Sequence, residues 1–104
     1  MNSIAAMCEQ TDAAEAMVAI RRGGLPSYEL TFAAERAGLH TNSNLVRSAL
    51  GPLLTHESAI VREGAIYGLA SHLDQDVLSA LANMAVNDPS SGVSHAAVDV
   101  LEGL

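Results

Sequence analysis

The sequence predicts an all-α fold, a short α-solenoid of about six antiparallel helices. Three observations predict it. Val61, Ala65 and Leu69 return 32 residues later as Val93, Ala97 and Leu101, and self-similarity at a fixed period marks stacked supersecondary units. Hydrophobic residues make up 49% of the chain, much of it alanine and leucine without β-branched runs, which favours helix. Breakers recur at short intervals, at Gly23-Gly24, Gly38, Gly51-Pro52 and Asp88-Pro89, so the connections are short turns.

The elements follow in order. Residues 1–10 read as a lead-in. Asp12-Ala13-Ala14-Glu15 has the form of a capping box and opens a first helix to about Arg22, whose two terminal arginines suit the negative end of the helix dipole. Met17, Val18 and Ile20 give it apolar surface. Gly23-Gly24 ends it, and Leu25-Pro26 prevents continuation. Ser27 caps a second helix to about Ala37, with Leu30, Ala33, Ala34 and Ala37 buried, Phe32 beside them, and Gly38 as the stop. Thr41-Asn42-Ser43-Asn44 is a polar turn before a third helix carrying Leu45, Val46, Ala49, Leu50, Leu53 and Leu54. Pro52 cannot donate to the carbonyl of Ser48, so this helix kinks or ends early.

The fourth helix, Ser58 to Leu73, presents Val61, Ala65 and Leu69 on one face, with Ile60, Gly64 and Tyr67 as a second stripe. A helix apolar on two sides is packed on two sides. The small residues Gly64, Ala65 and Gly68 let neighbouring backbones approach closely. Asp74 caps the fifth helix, which runs to Asn87 and buries Val77, Leu78, Leu81, Ala82 and Ala85. Asp88-Pro89 opens the last helix, Asp as cap and Pro at the first helical position, ending near Glu102. One domain spans 1–104, with a weak repeat over 12–55 and clear repeats over 56–104.

The pattern Val61-Arg62-x-x-Ala65-x-x-x-Leu69, a second helix, then Asp88-Pro89-x-x-x-Val93-x-x-x-Ala97-x-x-x-Leu101 resembles HEAT repeats. It is most similar to the HEAT-like repeats of phycobilisome lyases and many bacterial proteins, well over 42–104 and loosely over 12–41. The resemblance implies an α–α superhelix and binding along the concave row of second helices, here those near 12–22, 42–54 and 76–87. It also implies that Arg62 ties one repeat to the next. Two positions depart from the family pattern: Ser94 stands where Arg62 has its match, and His56 where Asp88 has its own. The family's ladder of Asp and Arg therefore lacks members here. The resemblance speaks to architecture, and function lives in sites grafted on such folds.

Charge narrows the function classes. The net charge is −7, there is no lysine, and the five basic residues are Arg21, Arg22, Arg36, Arg47 and Arg62. A Walker-A lysine, a Schiff-base lysine and a Ser–Lys pair are therefore absent. Beyond Arg62 every charged residue is acidic: Glu63, Asp74, Asp76, Asp88, Asp99 and Glu102. A groove tracking phosphates needs cations, and base stacking needs aromatics, of which there are three, Tyr28, Phe32 and Tyr67. The expected partner is another protein, with no nucleic acid and no membrane. Cys8 is the only cysteine; without an intramolecular disulfide, and without a leader or spanning segment, a cytoplasmic location is expected.

No cofactor is expected, and no catalytic or metal site. His40, His56 and His72 stand sixteen apart, but without cysteine or a zinc-ligand motif they read as exposed or capping histidines. His72-Leu73-Asp74-Gln75-Asp76 brings an imidazole near two carboxylates; a general base is one reading and helix-end capping the stronger. Arg47, Ser79, Asn83 and Asn87 are the candidates for a protein-binding face. The last helix has no following partner. Val93, Ala97, Val98 and Leu101 cover the preceding repeat, with Val100 and Leu104 left open. An uncapped end predicts self-association or docking; Ser94, His95, Asp99 and Glu102 allow the helix to serve as its own cap. Three functions follow: a non-catalytic interaction scaffold or adaptor, an acidic inhibitor or immunity-type protein masking a basic surface, and, from the resemblance alone, an accessory subunit of an enzyme.

Overall fold

Helix caps recur in the structure with a regularity that the sequence shows only in part. The computed structural model describes residues 3–104; residues 1 and 2 of the expected lead-in lie outside them. Six α-helices follow one another: α1 (Ser3–Arg22), α2 (Ser27–Ala37), α3 (Ser43–Leu50), α4 (Ala59–Leu69), α5 (Gln75–Asn87) and α6 (Ser91–Glu102). A 3₁₀ turn, Gly51–Thr55, extends α3. The N-cap positions of α2 to α6 are Pro26, Asn42, Ser58, Asp74 and Ser90, each sixteen residues after the last. Asn42 Oδ1 accepts from Leu45 N at 3.1 Å, and 32 residues on Asp74 Oδ1 accepts from Val77 N at 2.8 Å.

Several local expectations are corrected. The first helix begins at Ser3 and runs straight through Asp12, so there is no capping box. Ala, Met, Glu and Gln around residues 5–10 are strong helix formers with no breaker among them. Pro26, not Ser27, occupies the cap of α2, with no side-chain hydrogen bond. Ser90, not Asp88, caps α6; Asp88 stands two residues earlier and its Oδ1 accepts from Ser90 N at 2.9 Å. Pro52 ends the α-helical geometry of α3 as expected, converting the chain to 3₁₀. Gly23 and Gly24 make the α1–α2 turn at φ 77° and 83°, where glycine carries no steric penalty.

The core runs through all six helices and holds Val46, Leu50, Ile66, Leu69, Leu81 and Val93 with their neighbours. Its pattern shifts in places. On α4, Val61, Ala65 and Leu69 are buried as expected, and Gly64, Ile66 and Gly68 are buried too, while Ile60 and Tyr67 stay half exposed. On α5 the buried stripe is Val77-Leu81-Met84, and Ala82 faces outward. On α6 Val100 is covered, not open, together with Val93, Ala96 and Ala97; Leu104 is exposed.

Helix α4 packs against α2 on one side and α6 on the other, α1 packs on α2, and α5 packs on α6. Thr31 meets Gly64 and Ala34 meets Gly68, so α2 and α4 run side by side in one sense. A methyl group built at Gly68 would collide with the Ala34 carbonyl oxygen and lie 2.6 Å from Leu50 Cδ1. Gly38 ends α2 with an ordinary φ of −62°; glycine is required there because the position presses on the Gly68 backbone, Cα to virtual Cβ 2.6 Å. The Cα radius of gyration is 13.3 Å, against about 13 Å expected for a compact chain of this length.

Candidate interaction groove

The 3₁₀ turn and α5 diverge and leave an open groove between them. One part, about 420 Å³, is lined by Leu54, His56, Arg62, Asn83, Met84 and Asn87, with Ala80 in its floor. The adjoining part, about 290 Å³, is lined by Arg47, Gly51, Leu54, Asp76 and Val77, again with Ala80. Leu54 and Ala80 line both, so the two parts adjoin.

Two arginines brace this groove. Arg47 Nε lies 3.1 Å from Asp74 Oδ2, and its Nη1 donates to the His72 carbonyl at 3.1 Å. Its Nη2 donates to Asn44 Oδ1 at 2.8 Å. Arg62 forms the deeper clamp. Nε and Nη2 each meet an oxygen of Asp88 at 3.0 Å, and Nη1 donates to the carbonyls of His56 (2.7 Å) and Glu57 (3.1 Å). The two side chains are only 12% and 6% exposed. Burial acts to raise the Asp88 carboxyl; the hydrogen bonds from Arg62 and the Ser90 amide, with the arginine charge, outweigh it and hold the group below its ordinary value of 3.8. The departure at Ser94 has a counterpart role. Its Oγ lies 3.4 Å from the Asp88 carbonyl, as Arg62 reaches the His56 carbonyl 32 residues earlier, and 3.3 Å from that of Met84.

The histidines are spent on the fold. Nδ1 of His40 accepts from Asn42 N and Nδ1 of His56 from Ser58 N, both at 3.0 Å. Each imidazole thus does for its cap residue what Asp88 does for Ser90. His72 is buried. Nε2 donates to the Gly38 carbonyl and Nδ1 pairs with Ser43 Oγ, both at 2.7 Å. It joins the end of α2 to the start of α3, and its ring is turned from the carboxylates of Asp74 and Asp76. The general-base reading therefore finds no assembled pair. His72→Ala removes two bonds and a buried ring, and is expected to cost about 2–3 kcal/mol by urea unfolding; a loss within about 0.5 kcal/mol, the scale of an ordinary surface change, would show that the bridge is dispensable.

Of the four residues singled out for binding, Asn83 and Asn87 line the larger part of the groove, and Asn87 Nδ2 donates to Asn83 Oδ1 at 2.7 Å. Arg47 lines the smaller part, its guanidinium occupied by Asp74, His72 and Asn44. Ser79 is exposed on α5 outside both linings, 3.5 Å from Gln75 Nε2. The apolar floor of Leu54, Ala80 and Met84 was missed. Nothing in the linear pattern separates a floor residue from a core residue, because both are apolar on the same faces. Among the described residues no group of three or more His, Cys, Asp and Glu is placed to hold a metal ion, and no helix is long and apolar enough to cross a membrane. Comparison of the chain with protein-family models, curated proteins and solved structures finds no match.

Proposed function

We propose that the chain is a non-catalytic protein-interaction module, built as a short HEAT-like α-solenoid, that seats an extended segment of a partner in the α3–α5 groove. The observation that carries this reading is the pair of adjoining open clefts, with Leu54 and Ala80 in both and the side-chain amides of Asn83 and Asn87 lining the larger. Exposed amides offer both a donor and an acceptor to a peptide backbone. Apolar floors with a few polar groups are the usual make-up of binding clefts.

The solenoid reading is supported by contacts that repeat at a fixed offset. Caps return every sixteen residues. Thr31 Oγ1 donates to the Ile60 carbonyl, and the residues 32 further on, Glu63 and Gly92, also pack together. Each unit then contacts its neighbours in the same way, as repeat proteins do. The inhibitor reading draws on a different fact: the chain carries a net charge of −7, and every charged residue beyond Arg62 is acidic.

Ala80 lines both parts of the groove, and arginine there fills it. Affinity capture from source lysate, read by mass spectrometry at two salt concentrations, is expected to recover a stoichiometric protein with the unaltered chain. Ala80→Arg should reduce that recovery at least about tenfold, the effect of blocking a central contact, while helix content is kept. Equal recovery by both chains would remove the groove from the binding site. A partner lost steeply with salt would favour the inhibitor reading.

A further inference from the structure

All three aromatic side chains of the chain lie at its surface, away from the groove. Tyr28 is 60%, Phe32 62% and Tyr67 44% exposed, and Ile60 joins them at 44%. The core meanwhile is built of Ala, Val, Leu, Ile and Met. Large apolar groups gathered outside a small core mark an interaction surface more often than a scattered exposed residue does.

Helical spacing groups Tyr28, Ile60 and Tyr67 on one face, while Phe32 sits at its edge toward α1, in a cleft it lines with Asp12, Glu15, Ala16 and Ala19. Tyr28 and Phe32 are four apart on α2, and Ile60 and Tyr67 seven apart on α4, so each pair forms a stripe. The Thr31–Ile60 hydrogen bond at 2.7 Å and the contact of Ala34 with Gly68 set the stripes side by side. Carboxylates frame the patch. Tyr67 donates to Asp99 Oδ2 at 3.3 Å. Partial desolvation first, then the charges of Asp99, Glu63 and Glu35, raises the phenol above its ordinary value of 10.0; these carboxylates belong to α6, α4 and α2. Four of the five arginines stand elsewhere: Arg47 and Arg62 are in their ion pairs, and Arg21 and Arg22 end α1. Arg36 lies on the α1 side of α2, where it lines one cleft together with Phe32.

We propose that the outer face of α2, α4 and α6 docks a cationic polypeptide segment, its apolar side chains resting on Tyr28, Ile60 and Tyr67 and its arginines or lysines on Glu35, Glu63 and Asp99. Charge complementarity selects this occupant over a second copy, which at net charge −7 would bring like charges together. Aromatic faces add a cation–π attraction that plain carboxylate clusters lack. This surface is separate from the groove, and either can fail without the other.

The chain has no tryptophan, and its only tyrosines, Tyr28 and Tyr67, are both in the patch, so intrinsic tyrosine emission reports on this face. The probe is a short synthetic peptide of alternating arginine and leucine, titrated into the full chain. The unaltered protein should show saturable binding with a change in emission. Glu63→Gln with Asp99→Asn, and separately Ile60→Ser, should weaken it at least about tenfold, as loss of central charged and apolar anchors does. Glu9→Gln with Asp12→Asn removes the same charge from exposed positions on α1 and should change affinity less than about threefold, the effect of distant screened charges. Equal weakening by the two charge pairs would reduce the binding to net charge and overturn the proposal. So would retained affinity in Ile60→Ser, peptide binding with no change in emission, or a concentration-dependent emission change without peptide that tracks dimer formation.

Discussion

Arg62→Met is expected to destabilise the fold by about 3–5 kcal/mol, the usual result of stripping one partner from a buried ion pair. The variant leaves Asp88 charged and 6% exposed, and it orphans the carbonyls of His56 and Glu57 that Nη1 now serves. Domains of this size are stable by only about 5–15 kcal/mol, so the loss takes at least about a fifth of the total. Urea unfolding followed by circular dichroism measures it. Exchanging both partners, Arg62→Met with Asp88→Leu, should recover most of the deficit, because a buried pair is commonly no more stable than an apolar replacement. A double variant as unstable as the single one would show that the backbone contacts of Arg62, not the pair, carry the effect. The pair also sets an acid limit. The folded-state pKa of Asp88 is depressed below 3.8. Its contribution is therefore complete above the unfolded value and disappears as the pH falls through the lower folded one. The gap between the unaltered chain and Asp88→Asn should close over that acidic window; a gap that stays constant there would contradict the assignment.

Gly68→Val is expected to cost about 3 kcal/mol, at the upper end of overpacking penalties. Its first carbon would meet the Ala34 backbone, with the carbonyl carbon at 3.1 Å, and Leu50 Cδ1 at 2.6 Å. Backbone cannot rotate aside as a side chain can, so α2 and α4 must separate. Intrinsic propensity works in the opposite direction, since valine is a better helix former than glycine by a few tenths of a kcal/mol. A measured loss therefore reports the packing alone. Gly51→Ala is the matched contrast. Gly51 has helical angles, φ −50° and ψ −50°, and nothing within 4 Å of an added carbon. Pro52 follows and disfavours helical angles for a residue with a Cβ, which offsets the gain from restricting the unfolded chain, so alanine there should change stability by less than about 0.5 kcal/mol. Similar melting shifts of the same sign for both variants would refute the close approach of α2 and α4.

The two variants show where the linear pattern is informative. Gly64, Ala65 and Gly68 point to close backbone approach because small residues at helical spacing have few other uses. Gly38 points only to a helix end, and its real constraint, the Gly68 backbone, lies 30 residues away. Asp12 and Glu15 have the letters of a capping box, but a cap exists only if the preceding residues are not helical, and those residues are good helix formers. Asp88 reads as an N-cap by the same local rule. Its carboxylate is instead shared between Ser90 and a guanidinium on α4.

For the candidate groove, Asn83 and Asn87 were accessible from sequence because polar residues opposite a buried stripe must face out. Arg47 was accessible as a residue on that side, but its bonds to Asp74, His72 and Asn44 were not, because they join three segments. The sequence by itself determined that the chain is helical, how many helices it forms, near which residues most of them turn, and that its C-terminal half is acidic. Those follow from propensity, period and composition, which are local quantities. The tertiary structure alone decided that α2 and α6 are the helices that grip α4, that His72 would bridge α2 and α3, and that the aromatics would stand outside the core. Those depend on which surfaces meet, and residues sixteen, 32 or more apart must be brought together before burial or a hydrogen bond can assign them a role.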